Sequence, residues 1–140
     1  MQNLFVSKDD EFVVKFVVAT DKDGIIYSDI NRELLLESFK EIEDNVEKYE
    51  IKSYKAVFKK PSFGDSVELH KSIFKVEDGQ VNLSFNPVLV RYKKIESLIK
   101  SWDLSGEDER PSDEQIKKLH PIIANTIGML VDRELGGILG

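Results

Sequence analysis

The side chains that could do chemistry in this chain are few. The two histidines, His70 and His120, have neither a second histidine nor a paired carboxylate at ligand spacing. A surface helix position for His70 and a helix cap for His120 account for them better than a general base or a zinc ligand. Thr20-Asp21-Lys22-Asp23-Gly24 imitates the centre of a calcium-binding loop. Aligning Gly24 with that loop's obligatory glycine puts Ala19 at the first ligand position and Ile30 at the twelfth, so both terminal oxygen ligands are missing. The stretch reads instead as a hairpin turn, with Asp-Gly supplying the positive-φ position. Asp103 and Asp108 could be imagined as paired acids, but an acidic Gly/Pro loop offers no desolvation to tune a catalytic pKa. There is no cysteine, and no Gly-rich phosphate loop, nucleophile elbow or H-E-x-x-H motif. The expectation is a non-enzymatic protein with no metal and no cofactor.

Recognition is the chemistry left. Val88, Tyr92, Ile95, Ile99 and Trp102 recur at steps of four and three, one face of a helix opened by Asn86-Pro87 and running to about Trp102. Beyond an acidic loop, Ile123, Ile127, Leu130 and Val131 line one side of a closing helix. The candidate partner-binding residues are therefore Trp102, Leu104, Tyr92, Ile95, Ile99, Ile123, Ile127 and Leu130. Trp102 itself can fill the core or anchor a partner; the core reading is favoured, and the two agree if its pocket belongs to the following helix.

These residues need elements to position them. Glu11 to Thr20, rich in Val and Phe, reads as a strand buried on both faces or nearly so, with Ile25-Ile26-Tyr27 returning from the turn. Ser28 or Asp29 caps a helix to about Tyr49, whose Leu35, Phe39, Ile42, Val46 and Tyr49 form one stripe. A third strand follows at Ile51–Lys60, stopped by Pro61. Gly64 and Asp65 then turn the chain into a helix capped by Asp65 or Ser66 and carrying Val67, Leu69, Ile73 and Phe74. A short extended piece is expected at Val81–Phe85. From Asp103 to Glu114 six acids stand against the single base Arg110, the composition of a solvated, mobile loop. Ser112 with Gln115 forms a capping box, and His120-Pro121 opens the last helix. The fold class is α+β: an N-terminal antiparallel hairpin and third strand packed by a helix (residues 1–60), then a helical C-terminal part (61–140), in one folding unit.

The 140 residues are 41% apolar and 33% charged, enough for one core with a well-solvated surface. A net charge of −6 argues against nucleic-acid binding as the main task. Lys52, Lys55, Lys59 and Lys60 have no acid between them, which suits a solvated strand edge better than a phosphate track. Met1 to Phe5 lacks the parts of a secretory signal, and no apolar run approaches the roughly 20 residues of a membrane span. Absence of cysteine fits an intracellular or virion protein.

Two segments resemble a family. A strand, then Phe58-Lys59-Lys60-Pro61-Ser62-Phe63-Gly64-Asp65, then a helix is similar to the K-P-x-x-G-D opening of bacteriophage tail assembly chaperones. Leu98 to Leu104, with its W-D-L, an acidic loop, and Gln115 to Pro121, with its L-x-P, resembles a second pattern in such phage proteins. Together the segments cover about half the chain. The resemblance implies a non-enzymatic role in tail morphogenesis, as assembly factor or as tail or baseplate component. The implied partners are tape-measure, tube or baseplate subunits, with room for a homo-oligomer and no membrane; the implied location is the host cytoplasm during assembly, and the virion for a component. The N-terminal hairpin departs from the shorter, mostly helical members. The alternative is a nucleic-acid-associated accessory protein using Lys52, Lys55, Lys59, Lys60, Arg91, Lys93 and Lys94.

Overall fold

The computed structural model describes residues 4–73, 76–77, 80–81 and 87–136. The chain is α+β. Strand β1 (Glu11–Thr20) turns back into β2 (Ile26–Asp29). Asp21 shapes the turn: its carboxylate accepts the N–H groups of Asp23 and Ile25, each at 2.9 Å, and Gly24 takes φ 81°. The acids that imitate a calcium loop are thus turn-formers. Strand β3 (Glu50–Lys59) pairs with the whole of β1, from Glu11 opposite Lys59 to Thr20 opposite Glu50.

Between β2 and β3 the expected single helix over 29–49 is broken into α1 (Arg32–Ser38), α2 (Lys40–Asp44) and a 3-10 turn (Val46–Lys48). The register explains the break. Asp29 lies opposite Val17 and Glu50 opposite Thr20, so the two ends sit only about 14 Å apart at ordinary strand spacing and rise. A straight helix of that length would span about 31 Å. The chain folds back at Phe39 instead, whose ring packs edge-on against Tyr27 at 5.0 Å. The cap is Asn31, not Ser28 or Asp29, through a 2.8 Å bond from the Leu34 N–H.

After β3, Ser62 and Asp65 exchange bonds: the Ser62 N–H donates to Asp65 Oδ2 (3.0 Å) and the Asp65 N–H to Ser62 Oγ (3.1 Å). Ser62, rather than Asp65 or Ser66, is therefore the capping residue of α3 (Phe63–Ile73). Two short strands, β4 (Val76–Glu77) and β5 (Gln80–Val81), form a separate ribbon. The readings placed on Phe74, on Asn86 and on most of the piece at 81–85 fall outside the described residues.

Helix α4 (Pro87–Leu98) ends four residues earlier than expected, and Ile99–Trp102 is strand β6. It pairs with β3, Trp102 opposite Ala56, past an irregularity at Val57/Phe58. The sheet order is β2-β1-β3-β6, antiparallel throughout. The C-terminal half is largely helical, as expected, and the correction is confined to Ile99–Trp102, which forms the fourth strand because the outer edge of β3 needs a partner and tertiary pairing overrides helical spacing. Helix α5 (Asp113–Lys117) starts at the Ser112–Gln115 capping box. Helix α6 (Pro121–Leu135) is capped by His120 and closed by Gly136 at φ 57°. Among the described residues no helix is long and apolar enough to cross a membrane.

The sheet has a core on each face. Phe12, Val14, Phe16, Val18, Ala56 and Phe58 point to α3, α4 and α6, meeting Leu69, Ile95, Leu98, Ile127, Leu130 and Val131. Val17 and Ala19 point the other way, under Leu35 and Ile42. The strand expected to be buried on both faces is so only in its second half: the α1–α2 segment covers just that end of the second face, and Glu11, Val13 and Lys15 remain exposed.

Candidate partner-binding groove

Trp102 sits at the junction of sheet and helices, 3% exposed. Its strand partner, Ala56, is small and fully buried, which leaves room for the indole. The loop after it is pinned rather than loose. Trp102 and Glu109 exchange two backbone bonds of 2.9 Å, and Asp103 Oδ1 accepts the Lys55 N–H at 2.9 Å while the Asp103 N–H donates to the Lys55 carbonyl. The aspartate of W-D-L thus extends the β3–β6 ladder by side chain and backbone.

The other candidate residues divide by depth. Ile95, Ile99, Ile127 and Leu130 are buried in the same core; Tyr92, Leu104 and Ile123 are partly buried against it. Tyr92 and Ile95 are brought together in a groove of about 500 Å3 between α4, α5 and α6, walled by Val88, Leu89, Ile116, Leu119, Pro121 and Ala124. Trp102, Leu104 and Ile123 line a second, smaller cavity with Leu119 and Ile26.

Polar groups fix the rim of the groove. The Tyr92 hydroxyl donates to Asp113. That bond, then partial burial and the charges of Asp113, Glu96 and Glu114, push the phenol up to about 12. The same bond, with help from Lys117, holds the Asp113 carboxyl below the ordinary carboxylate range. Arg91 donates to Asn125 at 2.6 Å and lies across Gly128, where a Cβ would collide with it. The missing side chain at Gly128 is what lets α4 and α6 lock through Arg91.

One exposed apolar position lies outside the candidates drawn from the sequence. Phe63, within the K-P-x-x-G-D segment, is 87% exposed and lines a surface cavity of about 550 Å3 with Pro61, Val67 and His70. Helical spacing could have found it: positions 63, 67 and 70 share a face away from the buried Ser66 and Leu69. Asp65 of the same segment is held below the ordinary carboxylate range, first by the Ser62 N–H, then by the Ser62 hydroxyl and Lys59 against the effect of burial.

No protein-family model, curated protein or solved structure matches the chain. The site is therefore judged by its chemistry. Apolar walls with a few fixed polar groups suit the docking of another apolar surface. Among the described residues no group of three or more His, Cys, Asp or Glu side chains is placed to hold a metal ion. Most of the basic residues of the nucleic-acid alternative face carboxylates: Lys52 with Glu50, Lys55 with Asp108, Lys59 with Asp65, Lys93 with Glu96 and Lys94 with Asp132. Such pairing leaves little free charge for phosphates.

Proposed function

We propose that this chain is a non-enzymatic protein of bacteriophage tail morphogenesis that works through protein–protein contacts, its α4–α5–α6 groove receiving an apolar, helix-forming segment of another tail protein. The observation that carries the reading is the groove itself. It is lined mainly by apolar side chains and opens beside Val88, which is 70% exposed, in a chain whose net charge of −6 keeps the rest of the surface solvated. The two segments resembling tail assembly proteins support it, since the W-D-L to L-x-P stretch supplies Ile116, Leu119 and Pro121 to the groove.

A binding experiment tests this. Purified chain is titrated with segments of bacteriophage tape-measure, tube and baseplate proteins. Ala124→Arg, which puts a guanidinium on the groove wall, weakens the bound segment about tenfold or more and leaves the circular dichroism unchanged. Undiminished binding by a folded Ala124→Arg protein would remove the groove from the proposal. Mass spectrometry of purified virions then separates the two roles: stoichiometric presence marks a component, and absence with loss of tails on deletion marks an assembly factor.

A further inference from the structure

Among the described residues, half of β1 has no strand neighbour on one side. β2 pairs with it only from Val17 to Thr20, whereas β3 pairs along its full length. In an antiparallel ladder successive residues point their N–H and C=O groups to opposite sides. Two bonds fix the phase: the Lys60 N–H to the Asp10 carbonyl on the β3 side, and the Asp21 N–H to the Ile25 carbonyl on the β2 side. Odd-numbered residues of β1 therefore bond away from β3. The backbone groups of Glu11, Val13 and Lys15 point off the open edge, and no described residue bonds to them there.

The side chains of the same three residues share the sheet face that α1 and α2 leave uncovered. Their order is acid, apolar, base at positions 11, 13 and 15, and Val13 is 43% exposed. That order is self-complementary about a two-fold axis through Val13. An antiparallel second copy sets Lys15 of each chain against Glu11 of the other and Val13 against Val13. Outward-bonding residues then meet outward-bonding residues, so each of the three pairs can exchange two N–H to C=O bonds. Centring the axis on Glu11 or on Lys15 instead would oppose like charges. Lys15 has no ion pair among the described residues, and Glu11 engages Lys100 through only one of its oxygens. Just before Glu11 the chain makes a tight turn, the Ser7 N–H bonding Asp10 Oδ2 at 2.9 Å and the Asp10 N–H the Ser7 carbonyl at 3.0 Å. The paired segment is thereby kept short.

From this geometry we infer that two copies of the chain pair edge to edge through residues 11–15 of β1, antiparallel about Val13, joining two four-stranded sheets into one of eight strands. The inference does not depend on the tail reading. Five residues per strand make an interface below the standard size, so the dimer is weak and forms with rising concentration.

Sedimentation equilibrium of the full chain from about 1 µM to about 1 mM spans that range. Dimer is expected to increase across it. Glu11→Lys and Lys15→Glu each oppose like charges twice and weaken self-association about tenfold. Mixing the two variants restores the opposite pairs and recovers a heterodimer of near wild-type affinity, a result that damaged folding cannot produce. In hydrogen exchange the Val13 amide gains protection only at dimer-forming concentrations. A monomer at every concentration, a dimer indifferent to either single change, or no recovery on mixing overturns the proposal.

Discussion

Trp102 is the only tryptophan of the chain and has almost no contact with solvent. Its value is that of a large buried side chain whose removal leaves a hole between β6 and the helices. Trp102→Ala is expected to destabilise the protein by about 3–5 kcal/mol, measured by chemical denaturation; a change under about 1 kcal/mol would contradict its burial. Tyr92 carries a different kind of consequence. Its phenol is raised from 10.0 to about 12 because the hydroxyl donates to Asp113 and the carboxylate opposes a second negative charge. A raised pKa favours the protonated form in the fold, so this stabilisation is whole below pH 10 and lost as pH rises from 10 towards 12. Asp113 is lowered, and its share is whole above the ordinary carboxylate range and lost as pH falls through its folded value. An ultraviolet absorbance titration should find one tyrosine ionising near 12, and Asp113→Asn should return it towards 10. An unchanged late titration in Asp113→Asn would mean that another group holds the phenol.

Four helices of this chain start where a side chain satisfies one of the first free N–H groups. Asn31, Ser62, Ser112 and His120 each accept a backbone N–H at a helix start, which sets boundaries that apolar spacing leaves open. Helix α5 has only five residues and depends on its box most. Ser112→Ala is expected to cost about 1 kcal/mol by the same denaturation measurement, and it should loosen the α5 wall of the groove. Stability equal to wild type would show that α5 is held by Ile116 and the Tyr92–Asp113 bond rather than by its cap. The ends of elements are decided elsewhere. α4 stops at Leu98 because the next four residues are taken by the edge of β3, and the stripe from Leu35 to Tyr49 is cut at Phe39 because its two ends must return to β1.

For the molecule as a whole, the fourth strand matters most. β6 comes from the second half of the sequence and completes a sheet begun in the first, and one core cluster holds residues from β1 to α6. Unfolding should therefore be a single cooperative transition, in which Trp102 fluorescence and far-ultraviolet circular dichroism change together. A fragment of residues 1–60 lacks the helices that cover Phe12, Phe16 and Phe58 and should not fold. Separate transitions, or a folded fragment, would divide the chain into two units.

The strand at Glu11–Thr20, the Asp-Gly hairpin, the third strand ended by Pro61 and the capping box at Ser112 are legible in the amino-acid order alone, though not which residues of the first strand are covered. These are local, written in turn chemistry, β-branched residues and N–H acceptors within four positions. It also supplied the eight apolar candidates, though not their depth: Tyr92 and Trp102 sit on the same four-three stripe, yet one edges a groove and the other fills the core. Periodicity assigns a face and is silent about what covers it. It took long-range packing to make Ile99–Trp102 a strand, to bend residues 29–49 twice, to tie the acidic loop to Lys55 and Trp102, and to leave Glu11, Val13 and Lys15 on an open edge. The physical reason is the same in each case. Strand pairing joins residues dozens of positions apart, and its hydrogen bonds outweigh the small local preference of a four-residue segment.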